Sequence, residues 1–153
     1  MNDYEINDRT LAIIPIDEEK SKIIEETGNL IINKSAMKII DDSCRFFGSS
    51  YEGRFMGTKQ MTGVSHKSPI IIEESRKIIF FPTNSPRISK CIWLSFNNIT
   101  SYEGDGKDCI IQFSCGKKLN LHSSYAIIDN QILRSTRLES VLTRRIEKFS
   151  KSI

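Results

Sequence analysis

The sequence predicts a single α+β domain that is mostly an antiparallel β-sheet or a partial barrel. Several short apolar runs are separated by polar turns, which is typical of antiparallel strands and hairpins. Two other segments repeat apolar residues at three- and four-residue steps, which indicates a helix near residues 35–47 and a long C-terminal amphipathic helix. The chain has 153 residues, within the usual size of one domain of roughly 100–200 residues. We therefore treat residues 1–153 as one domain.

The strand predictions rest on apolar runs bounded by Gly, Pro or polar clusters. The first run ends at Pro15 and an acidic cluster, and the second is entered through Gly28. Two pairs of runs flank short polar turns, so each pair is predicted to form a hairpin. The predicted strands are 11–16, 29–33, 70–72, 78–81, 91–102, 109–114 and 117–121.

The first helix is indicated by apolar residues on one face. Ser35 is suited to cap its start and Gly48 to end it. The residues that follow, 48–63, contain four glycines and are predicted to form a short helix around 52–60 or an ordered loop. The recurring apolar positions of the first helix are Met37, Ile40, Cys44 and Phe47.

The C-terminal helix is predicted from Ser123 to Phe149. At about 100° per residue its apolar and basic side chains form two separate stripes. A helix of this kind packs on a core with its charged side solvated, or presents its basic side to phosphates or a membrane surface. The apolar stripe is Ile128, Ile132, Leu138, Leu142, Ile146 and Phe149, and the basic stripe is Arg137, Arg144, Lys148 and Lys151 with Arg134 and Arg145 beside it.

Charge is unevenly distributed along a chain whose net charge is only +3. Residues 1–28 hold eight acidic and three basic residues, whereas residues 134–153 hold six basic and two acidic ones. The basic end is therefore the better candidate for contact with a polyanion. No apolar run approaches the roughly 20 residues of a membrane span, and the first residues do not form a signal peptide. We expect a cytoplasmic protein with no membrane partner.

The cysteines and histidines predict neither a metal site nor catalysis. Cys44, Cys91, Cys109 and Cys115 contain no C-x-x-C pair, and in the cytoplasm they should be reduced thiols. Their spacing relative to the two histidines, His66 and His122, matches no usual zinc pattern. Cys44 with a histidine base would be a candidate nucleophile, but it falls on an apolar helix face where thiols are usually inert. There is no phosphate-binding glycine loop and no nucleophile elbow, so we expect neither an enzyme nor a cofactor.

Four stretches carry a resemblance to a known family. The longest runs from Asp41 to Arg54, with the letters DDSCRFFGSSYEGR, and is followed by Gly57-Thr58. Residues 65–70, 80–83 and 91–95 (SHKSPI, FFPT and CIWLS) follow in order. These stretches closely resemble the competence transcription factor (ComK) family, and the resemblance covers nearly the whole chain.

The resemblance implies a bacterial DNA-binding activator of competence genes, which serve DNA uptake. Such proteins bind paired A/T-rich promoter boxes through the minor groove, act as homo-oligomers and work with RNA polymerase in the nucleoid. A MecA-type adaptor delivers them to a Clp protease. Family members usually continue past the last helix, whereas this chain stops at Ile153. The expectation is a short, C-terminally truncated paralogue with altered activation or proteolytic control, or one that competes with a full-length activator.

Residues 45–67 fit minor-groove contact because they combine cations with glycines and hydroxyls. Narrow A/T-rich minor grooves attract Arg and Lys, glycines permit close approach, and hydroxyls bind phosphate oxygens. The turn lysines after Gly116 and the basic side of the last helix are further candidates. The predicted DNA-binding residues are Arg45, Ser49, Ser50, Tyr51, Arg54, Lys59, Lys67, Lys117, Lys118, Arg137 and Arg144.

Several of these residues also have a structural interpretation. Arg45 is placed to pair with Asp41 or Asp42 one helical turn back, whereas Arg54 and Lys59 have no obvious partner in sequence. The segment 49–51 is suited to cap a second helix, and the lysines at 117 and 118 to be solvated turn charges. Phe46 and Phe47 are expected in the core, and the single tryptophan, Trp93, in the core or an interface.

The same order of elements also describes a small β-barrel closed by a helix that binds peptides or anionic lipid. The residue pattern alone does not separate that module from a DNA-binding domain. Affinity that depends on A/T content would separate them, since peptide and lipid binders have no reason to show it.

Overall fold

The structure of the protein is a computed structural model that describes residues 1–151. A 3₁₀ turn, Phe96–Asn98, lies between two of its strands. The helices are α1 (Ala36–Phe46), α2 (Tyr51–Thr62) and α3 (Tyr125–Lys151). The strands are β1 (Thr10–Pro15), β2 (Ser21–Glu25), β3 (Gly28–Ile32), β4 (Ile70–Glu73), β5 (Ile78–Pro82), β6 (Trp93–Ser95), β7 (Ile99–Asp105), β8 (Asp108–Phe113) and β9 (Lys118–Leu121).

The strands form two open antiparallel sheets, which confirms the predicted α+β class. The larger sheet has the order β3-β2-β1-β6-β5-β4 and the smaller one the order β7-β8-β9. Both predicted hairpins, β4–β5 and β8–β9, are present. Among the described residues no helix is long and apolar enough to cross a membrane.

Alternation along β5 shows how the larger sheet separates two cores. Ile78 and Phe80 pack with α1 residues on one face, whereas Phe81 packs on the other face with the smaller sheet and the start of α3. Ile79 joins a third cluster with Leu138 of α3. Since neighbouring residues of a strand point to opposite faces, an uninterrupted apolar run such as 78–81 is what a strand covered on both sides requires.

Helix α2 covers the edge of the larger sheet. It contacts α1, α3 and the edge strand β4. The Thr58 hydroxyl is buried and donates a 2.7 Å hydrogen bond to the carbonyl of Pro69, immediately before β4. Helix α2 therefore connects α1 with α3, and it protects the edge strand β4, which would otherwise be open to pairing with another strand.

The structure corrects the expectation of one strand over residues 91–102. The segment is divided into β6, the 3₁₀ turn and β7, and the chain passes there from one sheet to the other. The Asn98 amide donates to the hydroxyl of Ser95 and to the carbonyls of Asp8 and Thr10. These bonds stabilise the 3₁₀ turn. The sequence did not indicate this turn, because the residues on both sides of it favour β-strands.

Two further expectations are corrected. Strand β2 was not predicted, because it offers only Ile23-Ile24 between polar residues. Phe46 was expected in the core but is 63% exposed. Phe47 packs against the core cluster that α1 shares with Ile78 and Phe80. The alternative of a short helix around 52–60 is confirmed by α2.

Candidate nucleic-acid interface

The junction between α1 and α2 is organised by Asp41. Its carboxylate accepts hydrogen bonds from the Arg45 side chain at 2.8 Å and from the Tyr51 backbone N–H at 2.9 Å. Burial of this carboxyl opposes ionisation, but the two hydrogen bonds outweigh it and hold the pKa of Asp41 below its ordinary value. The Arg45–Asp41 ion pair that the sequence offered as an alternative is therefore present, although the guanidinium stays exposed.

Ser50 and Tyr51 start α2. The Ser50 hydroxyl accepts a 3.0 Å hydrogen bond from the Gly53 N–H and so caps the helix. The Tyr51 ring meets Trp93 edge to face, with ring centroids 6.3 Å apart. The capping interpretation of this segment is confirmed. Ser49 lies beside it and is half-buried.

Arg54 has the partner that its sequence context did not reveal. Its Nη1 donates a 2.7 Å hydrogen bond to Glu74 Oε1 in the β4–β5 turn. The Arg54 side chain is only 13% exposed, and its Nε is buried without an acceptor in the described part of the chain. Its charge is therefore engaged in joining α2 to the turn.

Helix α3 packs along α2 and the loop that follows it through polar contacts. The Gln131 amide, 2% exposed, donates to the carbonyls of Lys67 and Pro82. The Arg134 guanidinium donates to the carbonyl of His66 at 2.8 Å, and that of Arg145 donates to Gln60 Oε1 at 2.7 Å. One side of α3 is thus in contact with α2 and its following loop.

The exposed arginines of α3 lie next to this contact. Viewed down the helix axis, at about 100° per residue, one side of α3 is buried at Leu138 and another carries Arg137 and Arg144. Arg134 and Arg145 lie between these two sides. Positions 137, 144 and 148 share one direction and are exposed. We call Arg137, Arg144 and Lys148 the basic flank of α3. None of the three makes an ion pair among the described residues.

Lys59 and Lys67 lie near the other end of α2. Lys59 is exposed in its last turn. Lys67 is half-buried, has a positive φ of 50° and offers its carbonyl to Gln131. Only Asn, Asp and Gly adopt such a φ readily, so the contact with α3 fixes the loop and the position of Lys67.

Lys117 and Lys118 lie elsewhere. The Lys117 ammonium donates a 2.7 Å hydrogen bond to the carbonyl of Glu25 at the end of β2, and Lys118 is exposed on β9. Strands β2 and β4 are four positions apart in the larger sheet, or about 19 Å at the usual strand spacing. The predicted residues therefore fall into two regions, one around α2 and α3 and one at the β8–β9 hairpin.

The predicted apolar face of α3 is correct only in its first two-thirds. Ile128, Leu138 and Leu142 are buried, but Ile146 is 37% exposed and Phe149 is 70% exposed. The sequence analysis missed Gln131 and Ser135, which are buried on the same face. Positions 128, 131, 135, 138 and 142 follow one another at steps of three or four residues. This helical spacing alone places Gln131 and Ser135 on the buried face, although their side chains are polar.

The cysteines divide into a buried group and Cys115, which is exposed between β8 and β9. Cys44, Cys91 and Cys109 are buried, and desolvation raises the pKa of the Cys44 thiol to about 12. Residues 1–151 contain no group of three or more His, Cys, Asp or Glu side chains placed to hold a metal ion.

Comparison with known proteins identifies the family. The model of the ComK protein family matches residues 1–147. The chain belongs to the ComK family. The competence transcription factor of Bacillus subtilis (strain 168) is 37% identical over 151 residues, which cover 96% of this chain and 79% of that relative. No solved structure matches the chain.

The family match includes both regions of predicted DNA-binding residues. Its range extends from the N-terminus through α1 and α2 to Glu147 in α3. Arg137 and Arg144 of this ComK family member are inside the match, and so are the hairpin lysines at 117 and 118. The basic flank of α3 is therefore largely part of the family domain.

Proposed function

We propose that this ComK family member is a competence transcription regulator that binds A/T-rich double-stranded DNA through the minor groove. The observation that carries the proposal is the basic flank of α3, which lies beside α2. Its three cations are exposed and make no ion pair among the described residues, and the chain belongs to the ComK family. The B. subtilis relative is named a competence transcription factor, which supports the biological role. DNA contact requires cations that are free to meet phosphates or enter a groove.

Within the predicted set, the structure favours Lys59, Lys67, Arg137 and Arg144 as the direct DNA contacts. Lys59, Arg137 and Arg144 are exposed, and Lys67 is held in a fixed loop against α3. Arg45 is exposed but shares its charge with Asp41, so its contribution to affinity should be smaller. Arg54, Ser50 and Tyr51 already have internal partners, and we assign them mainly to positioning α2.

The β8–β9 hairpin forms a second proposed contact through Lys118, which is exposed. Lys117 already donates to the carbonyl of Glu25, so we assign it mainly to holding the hairpin against β2. We propose that this region meets the DNA backbone, because lysines in a turn contact phosphate without reading sequence. Its separation from α2 makes the two contacts independent, so their effects on binding free energy should add.

Paired promoter boxes suit a protein that self-associates, since repeated half-sites match symmetric assemblies. We therefore propose that the regulator acts as a homo-oligomer inside the cell, at the nucleoid. RNA polymerase and a MecA-type adaptor of a Clp protease are the further partners proposed. A binding measurement on the pure protein separates DNA binding from these protein contacts, because it contains no other protein.

The test is a gel-shift titration at fixed salt with a duplex that contains two A/T-rich boxes. The comparison duplex has the same length with the boxes replaced by G/C pairs. The variant is Arg137→Gln with Arg144→Gln, which removes two exposed charges without touching a buried side chain. We expect selective binding of the A/T duplex, weakened in the variant. The titration is repeated at several salt concentrations, and log affinity is plotted against log salt concentration. The slope should be less steep for the variant than for the unmodified protein, by roughly 0.9 for each phosphate that the variant no longer neutralises.

The matched control is Arg9→Gln with Lys107→Gln. Both residues are exposed in turns outside the α2–α3 surface, and the control changes the net charge by the same amount. Equal binding of the two duplexes would reduce the proposal to nonspecific affinity for polyanions. Equal weakening in the variant and the control would place the contact outside the basic flank.

A further inference from the structure

Leu133 is an exposed apolar residue on the side of α3 that carries the basic flank. Its side chain is 61% exposed and belongs to none of the hydrophobic clusters of the described residues. At about 100° per residue, its direction lies about 40° from that of Arg137 and about 20° from that of Arg144. Arg137 follows about 6 Å further along the helix axis. An apolar side chain that contributes little to the core therefore lies in line with two exposed cations.

Two of the three acidic side chains of α3 are held by other elements of the fold. The Asp129 carboxylate accepts a 2.7 Å hydrogen bond from the Tyr102 hydroxyl of β7. The Glu139 carboxylate accepts a 3.2 Å hydrogen bond from the Asn97 side chain in the 3₁₀ turn. Glu147, the third acidic residue, lies almost four turns beyond the exposed leucine. The side of α3 around this leucine thus presents an apolar group and cations to a polyanion.

An apolar side chain in the minor groove distinguishes base pairs in a way that phosphate contacts do not. Contacts to phosphates carry no sequence information. On the floor of the minor groove, A·T and T·A pairs offer only acceptors, whereas a G·C pair adds the 2-amino group of guanine. An apolar side chain packed there leaves that amino group without a hydrogen-bond partner, which weakens binding. Leucine is among the side chains that minor-groove proteins insert between base pairs.

We propose, on the basis of the proposed DNA-binding function, that Leu133 enters the minor groove and determines part of the preference for A/T pairs. Arg137 and Arg144 supply affinity through phosphates, and this affinity falls as salt rises. Leu133 supplies discrimination, because its contact with the groove floor is favourable only where the guanine amino group is absent. Removal of the charges and removal of the apolar side chain should therefore change different properties of binding.

The test compares three duplexes of equal length with the full chain. One contains two A/T-rich boxes, the second has G·C pairs in the boxes, and the third has inosine·cytosine pairs there. Inosine lacks the 2-amino group, so an inosine·cytosine pair keeps the major-groove groups of G·C and loses the minor-groove donor. Affinities are measured by fluorescence anisotropy at fixed salt. The unmodified protein should bind the A/T and inosine duplexes more tightly than the G·C duplex.

Leu133→Ala should lose about tenfold in affinity for the A/T and inosine duplexes, because it removes most of the buried apolar contact. Its affinity for the G·C duplex should change little, so the preference for inosine over guanine shrinks. The slope of log affinity against log salt concentration should stay the same, since no charge is lost. Leu133→Met keeps a long apolar side chain and should retain the preference. Ala and Met both favour helix, and circular dichroism checks that each variant is folded.

Two control variants separate charge from apolar contact. Arg137→Gln with Arg144→Gln should bind all three duplexes more weakly, with a less steep salt slope and with the preference retained. Ile31→Ala removes another exposed apolar side chain, 48% exposed on β3. Strand β3 is four positions from β5, which α3 contacts, or about 19 Å at the usual strand spacing. Ile31→Ala should therefore bind like the unmodified protein.

Three results would overturn the role of Leu133. If Leu133→Ala keeps the full preference, the discrimination arises elsewhere, and the proposed DNA-binding function stands without this residue. If Leu133→Ala loses affinity equally on all three duplexes, the residue is a contact that does not read sequence. If the unmodified protein binds the inosine and G·C duplexes equally, the minor-groove amino group is not read. That last result would also contradict the minor-groove part of the proposed function, whereas the first two would not.

Discussion

The Gln131 side chain of α3 donates a 2.7 Å hydrogen bond to the buried carbonyl of Pro82 at the end of β5. The same amide nitrogen donates to the carbonyl of Lys67 at 2.9 Å. One buried side chain therefore joins α3, the larger sheet and the loop that carries a proposed DNA contact. Polar groups buried in this way are usually required for a defined arrangement of the elements they join.

Replacement of Gln131 by Leu should destabilise the protein. Leu occupies a similar volume but leaves two carbonyls without their donor, and each unsatisfied buried group costs about 1–3 kcal/mol. We expect a loss of roughly 2–4 kcal/mol in the free energy of unfolding, measured by urea denaturation. Gln112→Leu on the half-buried face of β8 is the matched control. A change no larger than in that control would show that these carbonyls find other donors.

The Arg54–Glu74 pair should respond unequally to removal of its two members. Glu74→Ala leaves a mostly buried guanidinium without its carboxylate, which should cost about 1–2 kcal/mol of stability. Arg54→Met replaces the guanidinium by an apolar side chain of similar length and leaves Glu74 in solvent, so the cost should stay within about 0.5 kcal/mol. Urea unfolding of both variants and of the double variant measures this difference.

Arg54→Met also tests the role assigned to Arg54. If the residue positions α2, the affinity of the folded variant for the A/T duplex should be nearly unchanged. A large loss of affinity at unchanged stability would contradict that assignment and return Arg54 to the set of direct DNA contacts.

Ser50→Ala should lower stability by about 1 kcal/mol, because it removes the acceptor for the Gly53 N–H at the start of α2. Ser49→Ala is the control, since Ser49 lies outside the helix and does not cap it. Thermal unfolding distinguishes the two variants. We expect the DNA affinity of folded Ser50→Ala to match that of the unmodified protein, and a loss of affinity there would show that the hydroxyl contacts DNA.

The hydrophobic pattern predicted most of the fold because burial on one face leaves a period in the sequence. Helix α1 and the hairpins followed directly from such periods. Strand β2 did not, since pairing with β1 and β3 places it in the sheet although it contains only two consecutive isoleucines. The break at Asn98 also depends on contacts with Asp8 and Thr10, about 90 residues away in sequence.

The chemistry of the candidate site was predictable only in part. Composition indicated which cations were available, and helical spacing placed Arg137 and Arg144 on one side of α3. Sequence could not show that Arg54 meets Glu74, twenty positions later, or that Lys117 bonds to a backbone carbonyl of β2. Such partners are set by tertiary packing, and they decide which cations remain free for a ligand.

The Asp41 carboxylate should make stability depend on pH in the acidic range. Its folded-state pKa lies below the ordinary value of 3.8 because Arg45 and the Tyr51 N–H bind the ionised form and outweigh burial. A carboxyl with a lowered pKa stabilises the folded state fully above its unfolded pKa, and this stabilisation is lost as pH falls through the folded pKa. Asp41→Asn should therefore be less stable than the unmodified protein at neutral pH, and the difference should shrink as pH falls below about 4.

Urea unfolding of both proteins from neutral to acidic pH measures that difference. Asp42, whose pKa is also lowered, is present in both proteins, so its contribution largely cancels. Asp105→Asn, at an exposed position at the end of β7, is the control and should follow the unmodified protein at every pH. A difference for Asp41→Asn that stays constant down to the lowest pH would mean that its cost comes from packing at the α1–α2 junction, and that the charge of Asp41 does not hold the two helices together.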